Sequence, residues 1–391
     1  MNFATIANQY VCDVPVYEPG RPIEEVAREM GLNPKSIIKL ASNENPLGPS
    51  PKAVVAMRKA LATSHLYPDG GGFYLRQAIA RKLNDDLGRT QLRKTPREGT
   101  RPTTAQKRSI EVGIDNIILG AGSNEIIEFL YHAFVGPGDE IIAGDRAFVI
   151  YSIMAKMFQA RCVEVPFRGH THDLKAMLAA ITPKTKLVFV ANPNNPTGTR
   201  VTNAELEDFI RRLPAHVIAV LDEAYIEFVD DPPPSIEYAL KRNVVVLRTF
   251  SKIVGLAGLR IGYGVAQKEC IALLQRVRQP FNTNAVAQAG ALAALDDAAH
   301  FRKTKAVTRQ GLAYLYREFK RLKLEYVPSC ANFVLVNVGD GDKVFRGLQR
   351  RGVIVRPMRG YKMPSWVRVT VGTMEENRKF IRALKQEYEG L

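Results

Sequence analysis

The chain has 391 residues, with 55 Lys and Arg against 39 Asp and Glu (net +16), 46% hydrophobic and 24% charged residues; these proportions exclude a disordered or fibrous protein and describe a globular one. That length provides two domains, or one large domain with a smaller appendage. No run approaches the ~18 apolar residues of a membrane span, and the start MNFATIANQYVCD lacks the layout of a secretory signal, so a cytoplasmic location without membrane contact is expected.

In chain order, the first ~45 residues are rich in Pro and polar residues, and composition alone assigns them no docking site. Residues 88–109 then carry seven Lys or Arg and one Glu, with five threonines and almost nothing apolar. This stretch reads as an exposed basic loop or partly disordered insertion. A nucleic-acid arm would interleave aromatic residues for stacking, and none is present, so no nucleic-acid partner is expected.

Short apolar runs follow at Ile117–Leu119, Glu140–Ala143, Cys162–Val165, Leu187–Ala191, Val217–Leu221, Val244–Arg248 and Gly262–Ala266. Most are continuous rather than alternating. Such runs suit strands buried on both faces, which predicts an α/β fold with a mostly parallel sheet flanked by helices, among them Asn124–Phe134. Helical patterning over Val286–Leu322, strands at Asn332–Val338, Gly352–Arg356 and Val367–Val371, and a last helix at Met374–Tyr388 predict a smaller α+β domain. The expected division is an N-terminal arm over 1–48 that joins the small domain, a large domain over 49–290, and a C-terminal small domain over 291–391.

Ligands of open α/β sheets collect beyond the carboxyl ends of the strands, so polar residues that end the apolar runs are the first candidates. After the first strand, Gly120-Ala121-Gly122-Ser123-Asn124 makes a tight turn into a helix. It suits a phosphate, or is simply a good N-cap. The third glycine of a dinucleotide fingerprint is missing, because Glu125 stands there. Asp222 ends a buried run, where a lone charge is expensive, so it needs a cationic or hydrogen-bonding partner: it faces a protonated cofactor ring nitrogen, pairs with an arginine, or caps a loop. Tyr225 is three residues on. Lys252 follows hydroxyls at Thr249 and Ser251 and precedes Arg260. It is either an imine-forming nucleophile in a phosphate-binding neighbourhood or a solvated lysine.

Asn192 to Gly198 packs three asparagines and two prolines into a turn directly after a strand. His170 and His172 share a short polar stretch without a second pair of ligands, which reads as a solvated loop, and no metal site is expected. The four cysteines, Cys12, Cys162, Cys270 and Cys330, are far apart and read as reduced thiols.

Taken jointly, NPNNPTG (192–198), DEAY (222–225), TFSK (249–252) and GLAGLRIGYG (255–264) resemble the pyridoxal-phosphate (PLP) aminotransferases of fold type I, and within them the histidinol-phosphate aminotransferase branch. Further matches are ASNENPLG (41–48), Tyr67-Pro-Asp69, Cys330-Ala-Asn-Phe333 and VRVTVG (367–372). The resemblance spans nearly the whole chain except the insertion.

It implies that Lys252 holds the cofactor as an imine and afterwards moves a proton at the substrate α-carbon. Asp222 would keep the pyridine nitrogen protonated, and Asn195 and Tyr225 would bond the ring oxygen. The phosphate would rest on N–H groups from Ala121 through Gly122 and Ser123 to Asn124, with Thr249, Ser251 and Arg260. Phe148 would stack on the ring, where many members have Tyr. Tyr67 would reach the phosphate from a second subunit, which implies a homodimer. Arg368, helped by Asn195, would clamp a carboxylate, while Arg356 and Tyr17 would bind a substrate phosphate. The implied reaction joins an amino donor, L-histidinol phosphate, with 2-oxoglutarate in histidine biosynthesis. Aromatic amino-acid transamination and threonine-phosphate decarboxylation are the alternatives on the same fold.

Overall fold

A computed structural model describes residues 3–17, 20–94 and 110–389, with residues 89–94 and 389 described by their backbone only. A short strand, β1 (Ile38–Lys39), precedes seven strands: β2 (Ile117–Gly120), β3 (Glu140–Gly144), β4 (Arg161–Val165), β5 (Thr185–Ala191), β6 (Ile218–Asp222), β7 (Val244–Thr249) and β8 (Gly262–Val265). These seven form one sheet in the order β2-β8-β7-β6-β5-β3-β4. Only β8 runs against its neighbours. The mostly parallel sheet read from the apolar runs is therefore present.

Both faces of that sheet are covered. Ile142, Val188, Val190, Ala219, Leu221, Val244 and Val246 pack in one apolar cluster, and Ile141, Leu187, Phe189, Val220, Val245 and Leu247 pack in another. Successive residues point to opposite faces of a strand, so a strand buried on both must be apolar throughout.

The remaining strands are β9 (Tyr326–Val327), β10 (Phe333–Asn337), β11 (Val353–Ile354), β12 (Arg356–Pro357) and β13 (Trp366–Thr370). β12-β13-β10-β9 make an antiparallel sheet, covered by helices Ala298–Arg321, Gly341–Arg350 and Met374–Glu389 around a core that includes Leu315, Val334, Val369 and Phe380.

Several expectations change in detail. The single strand expected over Gly352–Arg356 is two: β11 pairs with β1, whereas β12 joins β13. That pairing docks the N-terminal segment, with Val26, Ala27, Ile37 and Ala41 packing on Ile354. The long helical pattern over Val286–Leu322 is two helices, Ala285–Leu295 and Ala298–Arg321, because Asp297 caps the second through the N–H of His300. The expected boundary at 290 falls inside the first of these, whose Ala291 and Ala294 belong to the large core. Helix Phe73–Lys94 continues through the first seven residues of the basic stretch read as a loop; its remainder, 95–109, lies outside the described residues.

One glycine is required by close approach. Gly255 has φ +77°, and a Cβ there would lie 2.2 Å from the carbonyl oxygen of Gly48, so neither its backbone angle nor its space suits another residue. Gly255→Ala is expected to lower stability by about 2–4 kcal/mol, measured as a fall in thermal midpoint at fixed protein concentration.

Candidate active site

Four strand ends meet along one edge of the large sheet. Ala191 of β5 lies beside Asp222 of β6, and Asp222 beside Leu247 of β7, while β2 delivers the turn that opens helix Ser123–Phe134. Residues Ala41–Glu44 and the arginines of β12 and β13 face them across a cleft of about 420 Å³. Tyr17, Gly122, Ser123, Asn124, Phe148, Asn195, Asp222, Tyr225, Thr249, Ser251, Lys252, Arg260, Arg356 and Arg368 all line it.

Asp222 is buried without an ionic partner among the described residues. Its Oδ2 accepts a hydrogen bond from the Tyr151 hydroxyl at 2.7 Å and its Oδ1 from the Ala224 N–H at 3.3 Å. Burial pushes its pKa up, and these two bonds only oppose that push. A cation beside it would reverse the shift, so the position fits a protonated ring nitrogen. Close by, Tyr225 accepts a hydrogen bond from Asn43 Nδ2 at 2.9 Å. Burial raises its pKa to about 12. The phenol therefore stays protonated, with its own proton free to donate into the cleft.

Lys252 Nζ donates to the Ser42 carbonyl at 3.1 Å and lies 5.7 Å from the centre of the Tyr225 ring. Burial, then the charge of Arg368, lowers its pKa to about 8; Arg260 adds to this, and Glu44 and Asp222 oppose it. A useful share of the amine is thus uncharged near neutral pH, as an imine-forming nucleophile requires.

The Asn-Pro turn leaves one amide to the site. Asn192 Oδ1 accepts the Val201 N–H at 3.1 Å, and Asn194 Nδ2 donates to Thr197 Oγ1 at 2.8 Å. These two hold the turn, in which both Asn-Pro bonds, 192–193 and 195–196, are cis. Asn195 faces the cleft, its Oδ1 accepting from Arg368 Nη1. Arg368 Nη2 donates to the Ala41 carbonyl at 2.6 Å, and its buried Nε has no partner. Burial lowers the arginine's pKa. Arg356 sits directly opposite Arg368 across the β12–β13 pair.

At the other end, helix Ser123–Phe134 starts from Gly122, which offers no side-chain cap. The first-turn N–H groups therefore lack acceptors within the helix. Gly122 has φ +83°, and a Cβ there would meet Arg260 Nη2 at 2.6 Å, so its absence lets the guanidinium close over the turn. Thr249 Oγ1 donates to Ser251 Oγ at 3.0 Å beside it. Helix terminus, hydroxyls and arginine together suit a phosphate.

Two expected residues are not in the cleft. Ala121 is a correction: its N–H donates to Glu125 Oε2 at 2.6 Å and is not offered to a ligand. Tyr67 is 83% exposed and stacks on Phe281 at 4.7 Å. The histidines are also not a solvated pair. His172 is buried against Phe167 at 4.6 Å, and burial lowers its pKa to about 4; His170 meets Trp366 edge-on at 5.2 Å. Conversely, Asn43 and Glu44, within the ASNENPLG motif but given no role there, and Tyr361 line the cleft, and Tyr151 supports it. Tyr151 reaches Asp222 across 71 positions, which no local spacing signals.

The chain belongs to the aminotransferase class I and II family, whose model matches residues 35–384, and pyridoxal 5′-phosphate is the cofactor of this enzyme class. Among its relatives, the histidinol-phosphate aminotransferase of Akkermansia muciniphila is 46% identical over 388 residues, covering 99% of each chain. That of Moorella thermoacetica is 47% identical over 381 residues, 96% of this chain and 91% of the relative. The crystal structure of histidinol-phosphate aminotransferase from Sinorhizobium meliloti in complex with pyridoxal-5′-phosphate superimposes with a TM-score of 0.82 at 25% identity, over 97% of each chain. A Thermus thermophilus aspartate aminotransferase double mutant gives 0.80 at 25%, over 97% of this chain and 99% of that one.

The lowered lysine pKa has a direct readout. The rate at which cofactor-free protein couples to pyridoxal 5′-phosphate is expected to rise with pH through about 8 and then level off. A stopped-flow absorbance profile that keeps climbing past about pH 10, as for a free lysine, would contradict the assignment.

Proposed function

We propose that the enzyme transfers the amino group of L-histidinol phosphate to 2-oxoglutarate, in two half-reactions, as a step of histidine biosynthesis. The observation that carries this reading is the cross-strand pair Arg356 and Arg368, facing one cleft beside Tyr17. Like charges directly opposite one another are destabilising. Arg368 has no carboxylate partner among the described residues, so a ligand anion is what Arg368 lacks. Histidinol phosphate carries a phosphate one carbon from its amine-bearing carbon, and glutamate carries a carboxylate on the amine-bearing carbon itself. The same cationic corner serves each half-reaction in turn.

The geometry of the cleft supports the other proposed roles. Lys252, uncharged in useful proportion, would hold the cofactor through its aldehyde group and, once released, would serve as the base for the proton of the substrate α-carbon. The cofactor, when bound, supplies a sink for the electron pair left on that carbon. Asp222 stabilises the protonated ring nitrogen, and Tyr151 orients the carboxylate. Tyr225 and Asn195 donate to the ring oxygen; Asn195 has its Nδ2 available because its Oδ1 is taken by Arg368. Phe148 covers the ring face. Ser123, Asn124, Thr249, Ser251 and Arg260 would hold the phosphate, and Gly122, whose N–H bonds the Gly120 carbonyl, leaves room for Arg260 over the turn. Tyr17 and Arg356 select the substrate's anionic group.

A half-reaction screen tests the donor. Cofactor-loaded enzyme mixed with histidinol phosphate is expected to lose its visible absorbance far faster than with phenylalanine or tyrosine. Equal rates would remove the phosphate-site reading in favour of an aromatic donor. Arg356→Ala is expected to raise the apparent KM for histidinol phosphate by about a hundredfold while leaving phenylalanine within about threefold.

The proposed assembly is a homodimer in the cytoplasm, where its four free thiols stay reduced. Exposed Val55, Leu61, Leu66, Tyr67, Phe73 and Tyr74 lie on two successive helices and their connection, an apolar surface suited to a second copy. Sedimentation should give about twice the chain mass of 43.5 kDa, and Tyr67→Phe should weaken cofactor binding without altering that mass.

A further inference from the structure

Glu125 stands where a dinucleotide fingerprint would carry its third glycine, and it does not line the cleft. It is the third residue of helix Ser123–Phe134 and turns back toward the chain that enters the helix. A single carboxylate oxygen, Oε2, accepts from the Ala121 N–H at 2.6 Å and from Asn282 Nδ2 at 2.5 Å. Asn282 is itself fixed, its Oδ1 accepting from Arg278 Nη1 at 2.8 Å. Phe281, the residue before it, holds φ +57° and stacks on Tyr67.

These bonds decide which donors the turn presents. The Gly122 N–H goes to the Gly120 carbonyl at 2.7 Å, and the Ala121 N–H goes to Glu125. The N–H groups of Ser123 and Asn124 remain, both in the first turn and both lining the cleft. Gly122 is confined as well, by its left-handed φ and the closeness of Arg260. The turn is thus clamped from behind by a carboxylate that also ties it to residues 278–282. As a charge, that carboxylate opposes a phosphate dianion nearby. Its benefit to phosphate binding must therefore come from geometry.

We propose that Glu125 is a positioning residue for the cofactor phosphate: it holds Ala121 and Asn282 together so that the Ser123 and Asn124 N–H groups point into the cleft. This rests on the reading that the phosphate occupies that turn. Glutamine at this position keeps an acceptor and removes the charge, so Glu125→Gln preserves the function, whereas Glu125→Ala removes both bonds.

The test is binding to cofactor-free protein, followed by absorbance, with two ligands that differ only in the phosphate: pyridoxal 5′-phosphate and pyridoxal. Glu125→Ala is expected to weaken the phosphorylated ligand by about tenfold and pyridoxal by less than about threefold, while Glu125→Gln stays within about threefold of the parent for both. Equal losses for the two ligands, or no loss for either, would overturn the role. Arg260→Ala separates the two readings. If it loses the preference for the phosphorylated ligand and Glu125→Ala does not, the role of Glu125 falls and the phosphate site stands; if neither variant loses it, the phosphate site falls too. Should Glu125→Ala fail to fold, Asn282→Ala, which removes the second partner of the same oxygen, is read with the same two ligands against the same criteria.

Discussion

Three ionisable groups, Asp222, Lys252 and Arg368, face one cleft, and none forms an ion pair among the described residues. Burying a charge without a partner is costly, and a fold optimised for stability alone would neutralise these groups against one another. Here each is kept apart and supported by neutral partners: the Tyr151 hydroxyl, the Ser42 carbonyl, and the Asn195 amide with the Ala41 carbonyl. On the proposed roles, a cationic ring nitrogen would complete the aspartate and a substrate anion the arginine. Cofactor and substrate would then be part of the electrostatic balance of the folded state.

The sheet makes this possible. Parallel β5, β6 and β7 end together, and each hands its next residues to the same edge, so residues 191–195, 222–225 and 249–252 become neighbours without being close in sequence. Two apolar clusters on opposite faces keep those ends in register. The smaller antiparallel sheet then brings two arginines toward that edge on adjacent strands.

Much of this was legible in the residues, and for physical reasons. Strands buried on both faces must be continuously apolar, so the central strands of the large sheet stand out in the sequence, whereas edge strand β4 carries exposed Arg161 and Glu164; the polar residues that end the central strands mark the cleft. What escaped depends on contacts distant in sequence. Asn43 reaches Tyr225 across 182 positions and Tyr151 reaches Asp222 across 71; neither has a local pattern that demands its partner. His172 looked solvated because its neighbours are polar, yet it packs under Phe167. Backbone N–H groups at a helix start are usually free, and only the folded-back Glu125 shows that the Ala121 N–H is not.

The split of residues 353–357 between two sheets has its own consequence. Val353 and Ile354 are hydrogen-bonded to the N-terminal segment, and two positions later Arg356 enters the antiparallel sheet that faces the cleft. On the proposed roles, the amino-terminal arm is thus coupled to the strand that carries Arg356, while Asp222 and Lys252 stand at the edge of the larger sheet. Descendants of such a chain can acquire new specificities by remodelling the arm, and leave the chemistry inherited intact.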